Sequence, residues 1–301
     1  MIFYCAIFEK GVEITKDDNG LWYFQSSSGK LSVASLIEVN RKYKLRLILA
    51  KHRGDSHRDI ELLVPLKRGE KWLEVQLSQL AQTASRKGSQ VLFGTLNLTY
   101  VVESVCYHCK CLCKVYSNIC RLFAESMAKL VKGHDTIDFG GQSEPYFEFE
   151  ALITSALRAY NAARYIIWTA FGPGKGSVPN SFTRTLSLCN NIPDALRERL
   201  NSSWQQYGAQ IQEYRDCVQH YVSVGGLLPG VKMTKLEGDV WSASAWIPDN
   251  PKVRSYRKFT YSSRIDALTY AWEIANEILE ISDIIVRAVP EHTERKDDVV
   301  G

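Results

Sequence analysis

Between Leu196 and Tyr221 apolar and aromatic residues recur at steps of three and four: Leu196, Leu200, Trp204, Tyr207, Ile211, Tyr214, Val218 and Tyr221. At about 100° per residue these positions form one stripe, the pattern of a long amphipathic helix with a buried face. Gly225-Gly226 stops it, so Glu213 to Tyr221 forms its last two turns. On the same wheel Asp216 and His220 fall opposite the stripe and Arg215 lies on its flank. All three leave the core of their own chain. An arginine and a histidine that face outward within about two turns of each other need a second surface to make a closed site, and a second copy of the chain would supply it.

The run Arg215-Asp216-Cys217-Val218-Gln219-His220, at the end of a helix, resembles the R-x(4-6)-H motif of the HEPN superfamily (higher eukaryotes and prokaryotes nucleotide-binding domains). The resemblance covers roughly residues 95 to 290 and implies a four-helix bundle. It also implies that motifs from two protomers meet across a dimer interface as a metal-independent ribonuclease site. Carried over, it makes His220 the general acid/base, Arg215 the electrostatic partner of the phosphate, and Asp216 the residue that orients one of them.

The rest of the chain sets limits on that expectation. A length of 301 residues with 45% hydrophobic content supports one large or two ordinary domains, and a formal charge of +4 permits an acidic partner such as RNA without demanding one. The apolar start Met1 to Phe8 lacks a basic leader and is ended by Glu9, and no stretch approaches bilayer length. Eight cysteines without a small-domain disulfide pattern suggest reduced thiols. The expected location is the cytoplasm, with no membrane association.

Residues 1–90 read as a small β or α+β domain of unknown role. Leu21 to Phe24, Tyr43 to Ala50 and Ile60 to Leu66 are β-rich runs separated by turn chemistry such as Asp17-Asp18-Asn19-Gly20. Its basic cluster around Lys44 and Arg46 reads more readily as a solvated strand face than as a nucleic-acid surface. After a linker at Ser85 to Ser89, a helical pattern runs from Leu96 to Val131. It carries Cys106, Cys109, Cys111, Cys113 and Cys120 around His108. Cysteine pairs at this spacing can hold zinc. However, Cys106, Cys109, Cys113 and Cys120 share one helix face and no turn residue interrupts them, so they are expected to pack as core, with no metal and no cofactor.

Pro145 opens a second helix, with Phe149, Leu152, Ala156, Ala159, Ala163, Ile166 and Ala170 on its buried face, and Gly172-Pro173 ends it. The following Gly174-Lys175-Gly176-Ser177 is no phosphate loop, because it follows a helix and lacks the Gly-Lys-Ser/Thr ending. A third helix starts near Pro193. Beyond it, Asp239 to Ile247 and Val253 to Tyr261 alternate like two strands around Pro248-Asp249-Asn250-Pro251. On the second arm Lys252, Arg254, Arg257 and Lys258 interleave with Tyr256 and Phe259, offering cations to phosphates and rings to bases. A charged, solvated edge strand accounts for the same residues. Ser263 and Asp266 read as a capping box for a last, central helix carrying Ala275, Ile278 and Leu279.

The expectation is therefore an α+β chain: the small N-terminal domain, then a HEPN-like four-helix bundle over 91–301 with an inserted β-hairpin at about 239–261. The expected activity is metal-independent cleavage of RNA by a homodimer joined through the Arg215/His220 helix, in a toxin, RNA-processing or defence setting. A non-catalytic HEPN-like module that binds a nucleotide or a partner is the alternative, and a zinc-binding regulator the third.

Overall fold

The computed structural model describes strands within residues 2–63, then residues 89–126, 133, 136–174, 176–220, 222–226, 230–235, 241–253 and 255–294. Seven strands come first: β1 (Ile2–Tyr4), β2 (Glu13–Lys16), β3 (Trp22–Ser26), β4 (Gly29–Ser32), β5 (Leu45–Leu47), β6 (Leu49–His52) and β7 (Ile60–Leu63). They pair as β2-β3-β4 and β6-β7, both antiparallel, and as β1-β5, parallel. Next come helix α1 (Ser89–Ser126), strand β8 (Thr136–Gly140), helix α2 (Glu144–Phe171), the short α3 (Phe182–Leu188), and α4 (Asp194–Ser203). A π-turn (Trp204–Gly208) then leads into α5 (Ala209–His220). Strands β9 (Gly230–Lys235), β10 (Trp241–Ser244) and β11 (Trp246–Ile247), two 3-10 turns, β12 (Ile265–Asp266) and helix α6 (Ala267–Glu294) complete the order. The chain is thus α+β. Among the described residues no helix is long and apolar enough to cross a membrane.

Two compact units result, each assembled from non-consecutive segments. One comprises residues 66–107, 151–219 and 273–301 and, where described, is helical. Small residues set its packing. A side chain at Gly94 would bring a Cβ to 3.0 Å from Ile166 and Tyr165, so this glycine lets α1 lie close to α2. The helix starts at Ser89, ahead of the expected Leu96. Ser104 and Ser155 share a hydrogen bond of 2.9 Å between the same two helices. Arg199 forks onto Glu277 at 2.7 and 2.8 Å, tying α4 to α6 with the bidentate geometry that makes arginine–carboxylate pairs specific. Ser181 caps α3, a helix the sequence pattern did not announce, and Arg197 donates to the Leu186 and Cys189 carbonyls at its other end.

The stripe expected over 196–221 is interrupted in this unit. Buried positions step Leu196, Leu200, Ser203, then Gly208, Ile211, Tyr214 and Cys217, with a step of five where the π-turn lies. Trp204, Tyr207 and Val218, expected on the core face, are half-buried, and Tyr221 lies outside the described residues. The π-turn is held by the rings around it: Trp204 stacks on Phe182 at 5.1 Å and meets Tyr160 edge-on at 5.3 Å. A Cβ at Gly208 would fall 2.3 Å from the Trp204 ring, so only glycine fits there.

The other unit comprises residues 1–65, 108–150 and 220–272. Here Cys109, Cys113 and Cys120 lie buried with Leu112, Tyr116, Ile119 and Phe123 along one face of α1, packing as the small apolar residues they resemble. Strands β8, β9 and β10 form an antiparallel sheet in the order β10-β9-β8. Alternation gives it two faces. Val231, Met233 and Ala243 are buried on one, where Phe139 also meets Phe123 edge-on at 5.6 Å. Asp138, Gly140, Gly230, Lys232 and Ser244 share the other, with Asp138, Lys232 and Ser244 opposite one another in register.

Two sequence expectations need correction in this unit. The described residues of 253–261 form no strand: Pro251–Val253 and Tyr256–Lys258 are 3-10 turns, and β10 finds its partner in β9, on the N-terminal side. Side chains explain it. Asn250 donates to the Lys258 carbonyl and accepts from Thr260 N–H, while Asp249 accepts from Ser263 N–H, so the backbone groups a ladder would use are taken. The cap of α6 is Asp266 itself, one turn later than a Ser263 box would put it. Its Oδ2 accepts from the N–H of Thr269 at 3.0 Å and from its hydroxyl at 3.1 Å.

Candidate functional site

The three motif residues sit on the last turns of α5, off its buried face. Arg215 Nη1 donates to Asp216 Oδ1 at 3.0 Å, with 33% and 29% of their side chains exposed. His220 is exposed and is the last residue of the helix. Buried Ile211, Tyr214 and Cys217 anchor the opposite side. The turn that follows is pinned: Glu150 accepts from the Ser223 hydroxyl at 2.7 Å and from Val224 N–H at 3.0 Å, and Gly226 takes φ +71°, a left-handed value that suits glycine. The arrangement places one guanidinium, one carboxylate and one imidazole on an outward surface.

The residues expected to hold RNA lie on the loop between β11 and β12. Lys252, Arg257 and Lys258 are exposed, and the Arg257 guanidinium lies 5.8 Å from the Tyr256 ring. Arg254 lies outside the described residues. Without a strand to alternate them, these cations are carried on turns.

A feature that the sequence reading missed is a cavity of about 460 Å³ on the polar face of the β8–β10 sheet. The row Asp138–Lys232–Ser244 and the glycine pair Gly140/Gly230 floor it, and Tyr146, Trp246 and Tyr261 contribute rings. Lys232 Nζ lies 3.8 Å from Asp138 Oδ1 and 4.5 Å from the centre of the Trp246 ring. Tyr146 donates to the Gly230 carbonyl at 2.9 Å. Burial pushes its phenol well above the usual range, so it stays a neutral donor. The signal was present: Thr136-Ile-Asp-Phe-Gly and Gly230-Val-Lys-Met-Thr-Lys both alternate polar and apolar residues.

Behind the cavity wall is a buried polar knot. Asp266, fully buried, accepts from Tyr116 Oη at 2.6 Å and Ala245 N–H at 3.0 Å in addition to its two bonds from Thr269. Loss of hydration pushes its carboxyl up to about 6, even though the Tyr116 and Thr269 hydrogen bonds pull the other way. Burial and the neighbouring Asp266 likewise raise the Tyr116 phenol. This knot joins α1, the β10–β11 junction and the start of α6, which is structural work.

The chain matches no family profile, and none of the curated proteins or solved structures compared with it is similar to it.

Proposed function

We propose that the chain is a metal-independent endoribonuclease of HEPN type, with a site on the end of α5 completed by the same surface of a second copy. The observation that supports this most is the Arg215–Asp216 pair standing off the buried face of the helix that ends in exposed His220. In the proposed reaction, His220 of one copy takes the proton from a ribose 2′-hydroxyl, and the 2′-oxygen attacks the adjacent phosphorus. The bond to the 5′-oxygen breaks, and that oxygen leaves with a proton from His220 of the second copy. The products are a 2′,3′-cyclic phosphate and a 5′-hydroxyl. An imidazole suits both roles because its ordinary titration lies near neutrality. Arg215 neutralises the charge that builds on the phosphorane, and Asp216 holds the guanidinium in place. Lys252, Arg257 and Lys258 offer cations to RNA phosphates.

The test is incubation of labelled single-stranded RNA with wild type, His220→Ala and Arg215→Ala in EDTA. Each variant is expected to cut at least about a hundredfold more slowly, with only cyclic phosphate ends in the wild-type products. Equal cutting by all three proteins overturns the site. A second reading, a non-catalytic binding module, is favoured by Arg215 already being engaged by its own neighbour Asp216. Absence of cutting by wild type, with retained RNA binding, selects it.

A further inference from the structure

We propose that the cavity on the β8–β10 sheet binds a small anion carrying a flat ring, of the nucleoside monophosphate class, either free or as one residue of an RNA strand. The inference is independent of the α5 site, because it rests on residues of the sheet and its rim.

The cationic side is the clearest. Lys232 Nζ has three donors, and the structure gives it one long ion pair, 3.8 Å to Asp138, whose side chain is 86% exposed. A pair so open to water is weak, so an incoming phosphate can replace it at little cost. The same ammonium lies over the Trp246 ring at 4.5 Å, and a second cation, Arg264, approaches that ring at 5.5 Å. Two cations thus flank the indole, Lys232 in the cavity lining and Arg264 outside it, which favours an anionic guest over a cationic one.

Arg264 is held there at a backbone φ of +48°, a left-handed conformation that disfavours any residue with a Cβ. It is the one non-glycine residue with positive φ among the described residues. Strain of this kind persists where surrounding structure fixes it, and it is enriched at ligand clamps. Here Asp249 holds the preceding residue, accepting from Ser263 N–H at 3.1 Å.

The ring side follows from Tyr261 and Trp246, half-buried rings that line one cavity, while Tyr146 is buried in its wall. Flat faces of this kind stack on a base without regard to its identity. The volume, about 460 Å³, falls within the range of small-molecule sites and accommodates a mononucleotide. Glycine keeps that volume open: a Cβ added at Gly140 meets nothing within 4 Å. The site can therefore be plugged without disturbing the strand.

The experiment is titration calorimetry of the full-length protein with adenosine 5′-monophosphate, adenosine, inorganic phosphate and a 2′-O-methyl RNA hexamer that cannot be cleaved. Adenosine monophosphate is expected to bind with a Kd below about 1 mM, and adenosine and phosphate each at least about tenfold more weakly. Gly140→Leu should abolish binding and Lys232→Met should weaken it about tenfold, while His220→Ala leaves it unchanged. Hexamer binding that Gly140→Leu weakens identifies the natural source as an RNA residue. Hexamer binding that the plug leaves alone identifies a free nucleotide. Phosphate binding as tightly as the nucleotide, no binding of the nucleotide up to about 5 mM, or unchanged nucleotide binding in Gly140→Leu each overturns the proposal.

Discussion

Asp266 and Asp216 carry the same carboxylate into opposite surroundings. Asp266 is fully buried and takes four hydrogen bonds from neutral donors that lie on α1, the β10–β11 junction and α6. Asp216 is partly exposed and meets the guanidinium next to it in sequence. The first has partners that exist only once the chain has folded. The second could form its pair in an isolated helix. The difference teaches which acid the fold depends on and which is available to something outside it: removing a buried acceptor strands its donors, whereas removing an exposed one leaves water to replace it.

Mutation of each acid tests that contrast. Asp266→Ala leaves Tyr116 and the first turn of α6 without their acceptor and takes from Ala245 N–H one of its two, and should lower stability by about 3–5 kcal/mol, measured by urea unfolding. A loss below about 1 kcal/mol would erase the distinction. On the exposed side, His220→Ala should slow RNA cleavage about a hundredfold, equivalent to about 2.7 kcal/mol of barrier, with the urea midpoint unmoved. A shift in midpoint would make the outer surface structural as well.

Acid titration sharpens the comparison further. Because the folded Asp266 carboxyl, at about 6, lies above its ordinary 3.8, the folded state binds the proton more tightly. Its contribution to stability is therefore full below about pH 4 and is lost as pH rises towards 6, by up to roughly 3 kcal/mol. Asp266→Asn should remove that slope, so wild type minus variant stability, measured between pH 4 and 7, should fall with pH. A flat difference would show that the carboxyl is not displaced. Tyr116→Phe, which deletes one donor of the knot, should lower stability by about 1–2 kcal/mol. Asp216→Ala should change it by no more than about 0.5 kcal/mol.

What could be read from the sequence divides along the same line. Helix ends marked by local chemistry were legible: Pro145 and Gly172-Pro173 bracket α2, and Pro193 caps α4. So was the cysteine face of α1, because burial on a helix repeats every three or four residues. The role of Asp266 was not, since Tyr116 and Ala245 lie 150 and 21 residues away and nothing near Asp266 names them. The second arm of the expected hairpin failed for a subtler reason. Its alternation was real, but Asp249 and Asn250, taken only as turn residues, use their side chains to occupy the backbone of 258–263. The cavity was scattered over residues 138 to 261 and emerges only when β8, β9 and β10 are laid side by side.

The π-turn at Trp204–Gly208 lets the aim of the α5 motif tolerate one extra residue of chain length. One residue more than an α-helix needs is absorbed there, so the buried face carries on across a step of five, from Ser203 to Gly208, and the motif keeps its bearing. Point substitution at Arg215, Asp216 or His220 changes what the surface presents, yet leaves its bearing untouched. Deleting a single residue from 204–208 should restore an uninterrupted α-helix with the same bearing, whereas deleting one from 209–214 would swing an intact set of side chains by about 100° around the helix axis. A mutational survey made only of substitutions is blind to that variable, and a one-residue indel series across the π-turn and α5 is the means to read it.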